Sequence, residues 1–304
     1  MLSILNTIAC PAVNVFILLS GYFLCDNTKK LGFSKIVDLL LQLLVFHIIY
    51  IGFNWLEKGE DITAKWVFES LLPNDYFVSI YIPVYLLSPY VNKFLKIISK
   101  EEANHFYMMI ILFFSVIPAL LDVYKEFLHV NLSLNNPLGH FGSGLGQTFV
   151  QFLLMYLIGA YIRQYDVPKL LSKQKNVIAL LLINIVVILP FVSYESIQNT
   201  DFMDRAFLAY HNPLLISESV LLFLLFRNMK FNSKIVNFLA KSAFTCYIIG
   251  NVIISKLFNW DYLLASPILM LGYLLAFVII AYLISVVYFT VYTRIIKPLI
   301  MFDR

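Results

Sequence analysis

Charge is the scarcest property of this sequence. Asp, Glu, Lys and Arg make up 13% of its 304 residues, where a soluble domain carries about 25%. Cysteine is nearly as rare. Cys10, Cys25 and Cys246 are odd in number, lie in or beside apolar runs and show no CxxC spacing. That argues against a disulfide framework and against a zinc site. With 11 Gly and 11 Pro in the chain, collagen-like and Pro-rich low-complexity sequence are excluded. No internal repeat or long linker divides the chain. No basic residue precedes Lys29, so the start lacks the charged segment of a secretory signal peptide. The net charge of +4 needs no nucleic acid to explain it, because membrane proteins gather Lys and Arg in their cytoplasmic loops.

Apolar surface is what the chain has in excess. Hydrophobic residues are 61% and mean hydropathy is +0.82. So apolar a chain cannot hide its side chains in one water-soluble core, and its solvent is lipid. A spanning helix needs roughly 20 mostly apolar residues. Nine stretches qualify: Leu5–Leu24, Val37–Leu56, Tyr76–Phe94, His105–Leu121, Gln147–Ile162, Asn176–Tyr194, Tyr210–Phe226, Ile235–Leu257 and Ser266–Val291. They are continuously apolar rather than alternating, which disfavours a β-barrel. The expected fold is all-α: a polytopic membrane helix bundle of about nine transmembrane helices, forming one domain over residues 1–304.

The few charges orient the bundle. The odd-numbered connections hold Lys29, Lys30 and Lys35; Lys93, Lys96 and Lys100; Arg163, Lys169, Lys173 and Lys175; Arg227, Lys230, Lys234 and Lys241. The tail adds Arg294, Lys297 and Arg304. The even-numbered ones hold only Lys58, Lys65, Lys125, Arg205 and Lys256. The positive-inside rule then places the basic side and the C-terminus in the cytoplasm. Most acidic residues fall on the other side, Asp122 among them as the start of an external loop reaching to Gly146. That loop carries the glycosylation sequon Asn131-Leu-Ser133 and four glycines, Gly139, Gly142, Gly144 and Gly146. A phosphate-cradling loop wants a strand before it, which is missing here. A flexible cover over an external mouth is the better reading.

Polar groups inside the membrane are costly and mark candidate sites. Glu218 lies midway along the seventh stretch, with His211 seven residues earlier and so expected on the same helix face. They read either as a carboxylate and an imidazole lining one pocket, or as a Glu satisfied by a neighbouring helix. His47, with Tyr50 and Asn54, reads as a base or as an interhelical hydrogen-bonding group. Asp38 reads as an interfacial residue near Lys35. Tyr81, Tyr85, Ser88 and Asn92 form one polar stripe at i, i+4, i+7 and i+11, with a kink expected from Pro83 and Pro89. In the first stretch Asn14, Ser20, Gly21 and Tyr22 form a small, polar, close-packing patch.

Several of these segments together resemble a known family. Pro11-Ala-Val-Asn-Val-Phe-Ile-Leu-Leu-Ser-Gly-Tyr-Phe-Leu24 is similar to the second helix of the integral-membrane acyltransferase 3 family. Tyr76 through Ser88-Pro89 to Asn92 is similar to a later one. Tyr156-Leu-Ile-Gly-Ala-Tyr-Ile-Arg163 is similar to a third segment. Tyr210-His-Asn-Pro213 through Phe223, with Phe238 to Ile249, is similar to a fourth. They occur in the family's order across nearly the whole chain. The resemblance implies a ten-helix bundle with both termini cytoplasmic, in the plasma membrane of a bacterium. It implies transfer of an acyl group, usually acetyl from acyl-CoA, to a hydroxyl of an exopolysaccharide, capsule or other cell-envelope glycan. No bound cofactor or metal is implied. The partners are acyl-CoA, the glycan or lipid-linked sugar acceptor, and the bilayer. Pocket-lining, substrate-binding positions are expected at Ser20, Tyr22, Tyr81, Tyr85, His211 and Glu218.

The family's first helix carries a basic residue and, eleven positions on, a histidine treated as catalytic. Here the residues eleven before His47, His105, His129, His140 and His211 are Ile36, Phe94, Pro118, His129 and Thr200. None is Lys or Arg, so no catalytic residue is assigned. A histidine that many members carry after a Tyr-Leu-Ile-type stretch is replaced by Gly250 and Asn251 after Tyr247-Ile-Ile. The expectation is a chain that starts one helix late, with the missing helix in the frame upstream. The competing functions are a transporter or flippase for a lipid-linked glycan, and a non-catalytic relative.

Overall fold

The computed structural model describes residues 2–29, 32–58, 63–71, 75–128, 144–165, 167–198, 206–229, 232–257 and 267–300, and no strand occurs among them. The helices are α1 (Leu2–Ala9), α2 (Ala12–Leu24), α3 (Ser34–Lys58), α4 (Ala64–Leu71), α5 (Tyr76–Ile97), α6 (Lys100–Ile111) and α7 (Ile117–Leu128). A five-residue π turn, Leu112–Val116, joins α6 to α7. Then follow α8 (Phe149–Gln164), α9 (Lys169–Ser172), α10 (Gln174–Gln198), α11 (Pro213–Arg227), α12 (Lys234–Ala240), α13 (Ala243–Leu257), α14 (Pro267–Val291) and α15 (Lys297–Ile300). The sequence marks several starts. Ser99 and Glu102 form a reciprocal capping box for α6. Thr148 caps α8 by accepting from the Gln151 amide. Asn212 caps α11, with Pro213 at its first position.

Helices occupy all nine apolar stretches. Six helical stretches are long and apolar enough to cross a membrane: Ser3–Leu24, Ser34–Leu56, Lys100–Tyr124, Gln174–Ile197, Ala206–Arg227 and Leu269–Leu299. The protein is a polytopic helical membrane protein. The other three stretches are α5, with its polar stripe; α8, which is 16 residues long; and residues 234–257, broken between α12 and α13 at Lys241–Ser242. Many apolar side chains of the spans are exposed, among them Val186, Val278 and Leu283. That is the reverse of a soluble surface and fits an outer face solvated by lipid.

Two of the expectations change. Asp122 is not in a loop: it lies within α7, because the apolar helix continues past it to Leu128. The sequon Asn131-Leu-Ser133, Gly139 and Gly142 lie outside the described residues, and Gly144–Gly146 form a 3-10 turn. His211 does not share a helix face with Glu218. The Asn212-Pro213 start places His211 just before the cap, outside α11.

The chain divides into two compact units, Met1–Leu31 with Ser79–Lys230, and Gly32–Val78 with Phe231–Arg304. In the first, α2 and α8 meet backbone to backbone. A Cβ built on Gly21 would overlap the Tyr156 carbonyl oxygen and stand 2.7 Å from its carbon; one on Gly159 would overlap the Leu18 carbonyl oxygen. Small residues permit this approach, the usual device where lipid offers no hydrophobic drive between helices. Ile17, Leu18, Phe152, Leu154 and Met155 are fully buried around the contact. A second cluster, Ile188, Val192, Phe207, Leu208 and Leu215, joins α10 to α11 and the preceding turn.

The second unit holds α3, α4 and α12–α15. Its contacts are tyrosine hydroxyls donating to helix oxygens: Tyr288 to the Gln42 carbonyl at 2.7 Å and Tyr282 to the Leu239 carbonyl at 2.7 Å. Asp38 accepts from Tyr292 at 2.8 Å and pairs with Lys297 at 3.1 Å. The Asn54 amide turns back on its own helix, donating to the Tyr50 carbonyl at 2.8 Å.

Candidate functional site

All six expected site residues lie in the first unit, and the structure sorts them into two groups. The first group is built on the polar stripe of α5. Tyr81, Tyr85, Ser88 and Asn92 are buried, so the stripe faces protein rather than lipid. The Tyr81 hydroxyl lies 3.2 Å from Ser20 Oγ on α2, and the Tyr81 and Tyr85 rings stack with centroids 6.1 Å apart. Asn92 finishes the stripe as a clamp. Its Nδ2 donates to the Leu24 and Asn27 carbonyls, each at 2.7 Å, and its Oδ1 accepts from Tyr156 at 2.9 Å. It thereby ties α5 to the chain leaving α2, where the Leu24 carbonyl also accepts from the Asn27 amide at 2.9 Å.

Cations gather at that same end. The Arg163 guanidinium stands 5.3 Å from the centroid of the Tyr22 ring and 3.5 Å from Asp26. Lys96 Nζ donates to the Asp26 carbonyl at 3.1 Å. Tyr22 also packs against Phe223 of α11, centroids 5.0 Å apart. Ser20, Tyr81 and Tyr85 are thus in contact, while Tyr22, two residues and about 200° further round α2, faces Arg163 and Phe223.

His211 belongs to the second group, whose other members come from five elements. Its Nε2 is 2.8 Å from Asp122 Oδ2, and both side chains are buried. Its carbonyl accepts from Ser115 of the π turn at 2.6 Å. The preceding carbonyl, of Tyr210, accepts from Asn14 at 2.9 Å and from Gln151 at 2.6 Å. The Tyr210 amide donates to the Leu145 carbonyl at 2.8 Å. Gly146 closes the last side, at φ +79 with a notional Cβ only 2.6 Å from the His211 amide nitrogen and 3.1 Å from Nδ1. Only glycine takes both the φ and the space. The approach of Asp122 to His211 is close without meeting hydrogen-bond geometry; a carboxylate at this distance offsets the positive charge an imidazole gains on taking up a proton.

Glu218 stands on α11 between these groups, 1% exposed. Neither carboxyl oxygen has a hydrogen-bond partner among the described residues. No cluster of three or more His, Cys, Asp or Glu that could hold a metal occurs among them.

Asp122, Ser115, Gln151 and Arg163 were not singled out as site residues from sequence. For Asp122 the available signal was a helix that continues beyond its apolar run. For the others the contacts are long-range, and no local pattern announces them.

No curated protein and no solved structure matches the chain. A family model does: the model described as an acyltransferase domain matches residues 1–289, running through both units. The chain belongs to the acyltransferase 3 family of membrane proteins.

Proposed function

We propose that this protein transfers an acyl group, acetyl in the simplest case, from acyl-CoA to a hydroxyl of a cell-envelope glycan. Family membership over residues 1–289 carries the reading. The site adds support. The hydroxyl stripe of α5 ends among Arg163 and Lys96, side chains suited to the phosphates of a CoA. By the distribution of Lys and Arg that end faces the cytoplasm of a bacterial cell, with the C-terminus on the same side, and acyl-CoA is met there. Ser20, Tyr22, Tyr81 and Tyr85 would border the donor, with His211 and Glu218 lining the route to the acceptor. A hydroxyl is a weak nucleophile until a base takes its proton. His211, faced by Asp122, has the chemistry for that task.

The test supplies radiolabelled acetyl-CoA to membranes containing the full chain. Label in envelope glycan is expected. Unlabelled glycan with altered export would replace this reading with glycan transport. Equal acetylation with and without the gene would replace it with a non-catalytic role.

A further inference from the structure

The first unit contains a cavity of about 900 Å³ that neither group of site residues uses. Its walls come from three membrane spans, with α8 and α9 at one end. Lys100–Tyr124 contributes residues from Asn104 to Val116, Gln174–Ile197 from Leu180 to Val187, and Ala206–Arg227 from Leu214 to Leu221. Met108, Ile183 and Val187 line it and are themselves 60%, 58% and 43% exposed. The cavity is therefore a groove open sideways, toward the bilayer. Its polar groups are turned into the wall. The Tyr107 hydroxyl donates to the Leu157 carbonyl at 2.8 Å, and the Asn184 amide donates to Ser217 and to the Leu214 carbonyl.

One end differs from the rest. Asn104 accepts from Tyr161 at 2.7 Å, and the Tyr161 ring lies 4.8 Å from that of Tyr165. Lys100 Nζ sits 5.7 Å from the Tyr165 ring centroid, one turn before Asn104 on the same face of α6. Lys169 and Lys173 flank the lining residue Leu171. Glu101 and Glu102 point off that face, and Glu102 is engaged with the Ser99 cap. Tyrosines beside lysines mark the headgroup level of a membrane. From Asn104 to Val116 the groove runs about 18 Å at the helical rise. One leaflet is half of a hydrocarbon core about 30 Å thick. The groove is one leaflet deep, with its cations at the headgroup end.

We propose that this groove is a binding site for an anionic phospholipid of the leaflet on the basic side. The acyl chain lies between α6, α10 and α11, and the phosphate lies against Lys100. The lateral opening favours a lipid over a water-borne acyl-CoA, which would enter from the end.

The test is native mass spectrometry of the full chain from detergent with equimolar phosphatidylglycerol and phosphatidylcholine of matched chains. Phosphatidylglycerol should be retained about fivefold or more over phosphatidylcholine, the weight of one lysine's attraction to an anionic headgroup. Lys100→Gln should erase most of that preference while chain binding persists. Ile183→Trp and Val187→Trp should each lower retention of both lipids. Val278→Trp, on a lipid-exposed position of the other unit, should lower neither. Equal retention of the two lipids would overturn the proposal, as would unchanged retention in both groove tryptophans. Displacement of phosphatidylglycerol by equimolar palmitoyl-CoA would also overturn it, in favour of the acyl donor as occupant.

Discussion

Replacing Gly21 by Ala adds one methyl group and should unsettle the first unit. In an open helix position the same change is neutral or favourable, since Ala is the better helix former by about 1 kcal/mol. Gly52, Gly250 and Gly272 are such positions, with nothing within 4 Å of a notional Cβ. At Gly21 the methyl would overlap the Tyr156 carbonyl oxygen and lie 2.9 Å from its Cα. These are backbone atoms of another helix, so no side chain can swing away. The two helices must separate by about 1 Å, and the buried contacts of Ile17, Leu18, Leu154 and Met155 all loosen together. Overpacking costs typically 1–3 kcal/mol, and a backbone overlap belongs at or above the top of that range. Subtracting the helix preference leaves a net loss of about 2 kcal/mol. The assay is equilibrium unfolding in mixed micelles, titrating in a denaturing detergent and following helix content by far-ultraviolet circular dichroism. Gly21→Ala and Gly159→Ala should unfold well before the parent, while Gly52→Ala and Gly272→Ala unfold with it or later. The double variant should lose less than the sum, because one separation relieves both overlaps. If Gly21→Ala and Gly52→Ala unfold at the same detergent fraction, the backbone contact between α2 and α8 is wrong.

Three further outcomes follow from the site. Asn92→Ala removes one donor each from the Leu24 and Asn27 carbonyls and one acceptor from the Tyr156 hydroxyl, and should cost about 1–3 kcal/mol, read in the same titration. Ser20→Ala combined with Tyr81→Phe should show a coupling of about 0.5–1.5 kcal/mol in a double-mutant cycle, the worth of one hydrogen bond; strict additivity would mean that the pair seen at 3.2 Å is not formed. Asp122→Asn keeps the size of its side chain but withdraws the charge facing His211. Label transfer from acetyl-CoA should fall at least tenfold at nearly parental stability, and unchanged transfer would remove His211 from the reaction.

The membrane spans were legible because each is a continuous apolar run, and continuity survives any packing. The α5 stripe was legible for a related reason: polar residues at helical spacing in an apolar helix have few places to go but inward. The pairing of His211 with Glu218 failed because residue spacing was counted through Asn212-Pro213, which is itself a helix start. Asp122 was misplaced because assigning each charge to the nearest loop ignores a helix with one buried carboxylate in its last turns. Arg163 on Tyr22, and Gly159 on Leu18, come from helices far apart in sequence. Only the fold brings them together.

The π turn at Leu112–Val116 gives its span two phases. A π turn holds one residue more than an α turn, and one residue is about 100° of rotation. Before it, α6 presents Ala103 and Tyr107 to the cluster that includes Leu157 and Ala160 of α8. After it, the same rod presents Asp122 to His211, while Ser115 inside the turn holds the His211 carbonyl. A straight α-helix would set the half beyond Val116 about 100° away from its present facing. Deleting any one residue of the turn would leave the span's length and hydropathy almost unchanged. It would also swing everything beyond it to a different neighbour, separating the acid from its imidazole without touching either side chain.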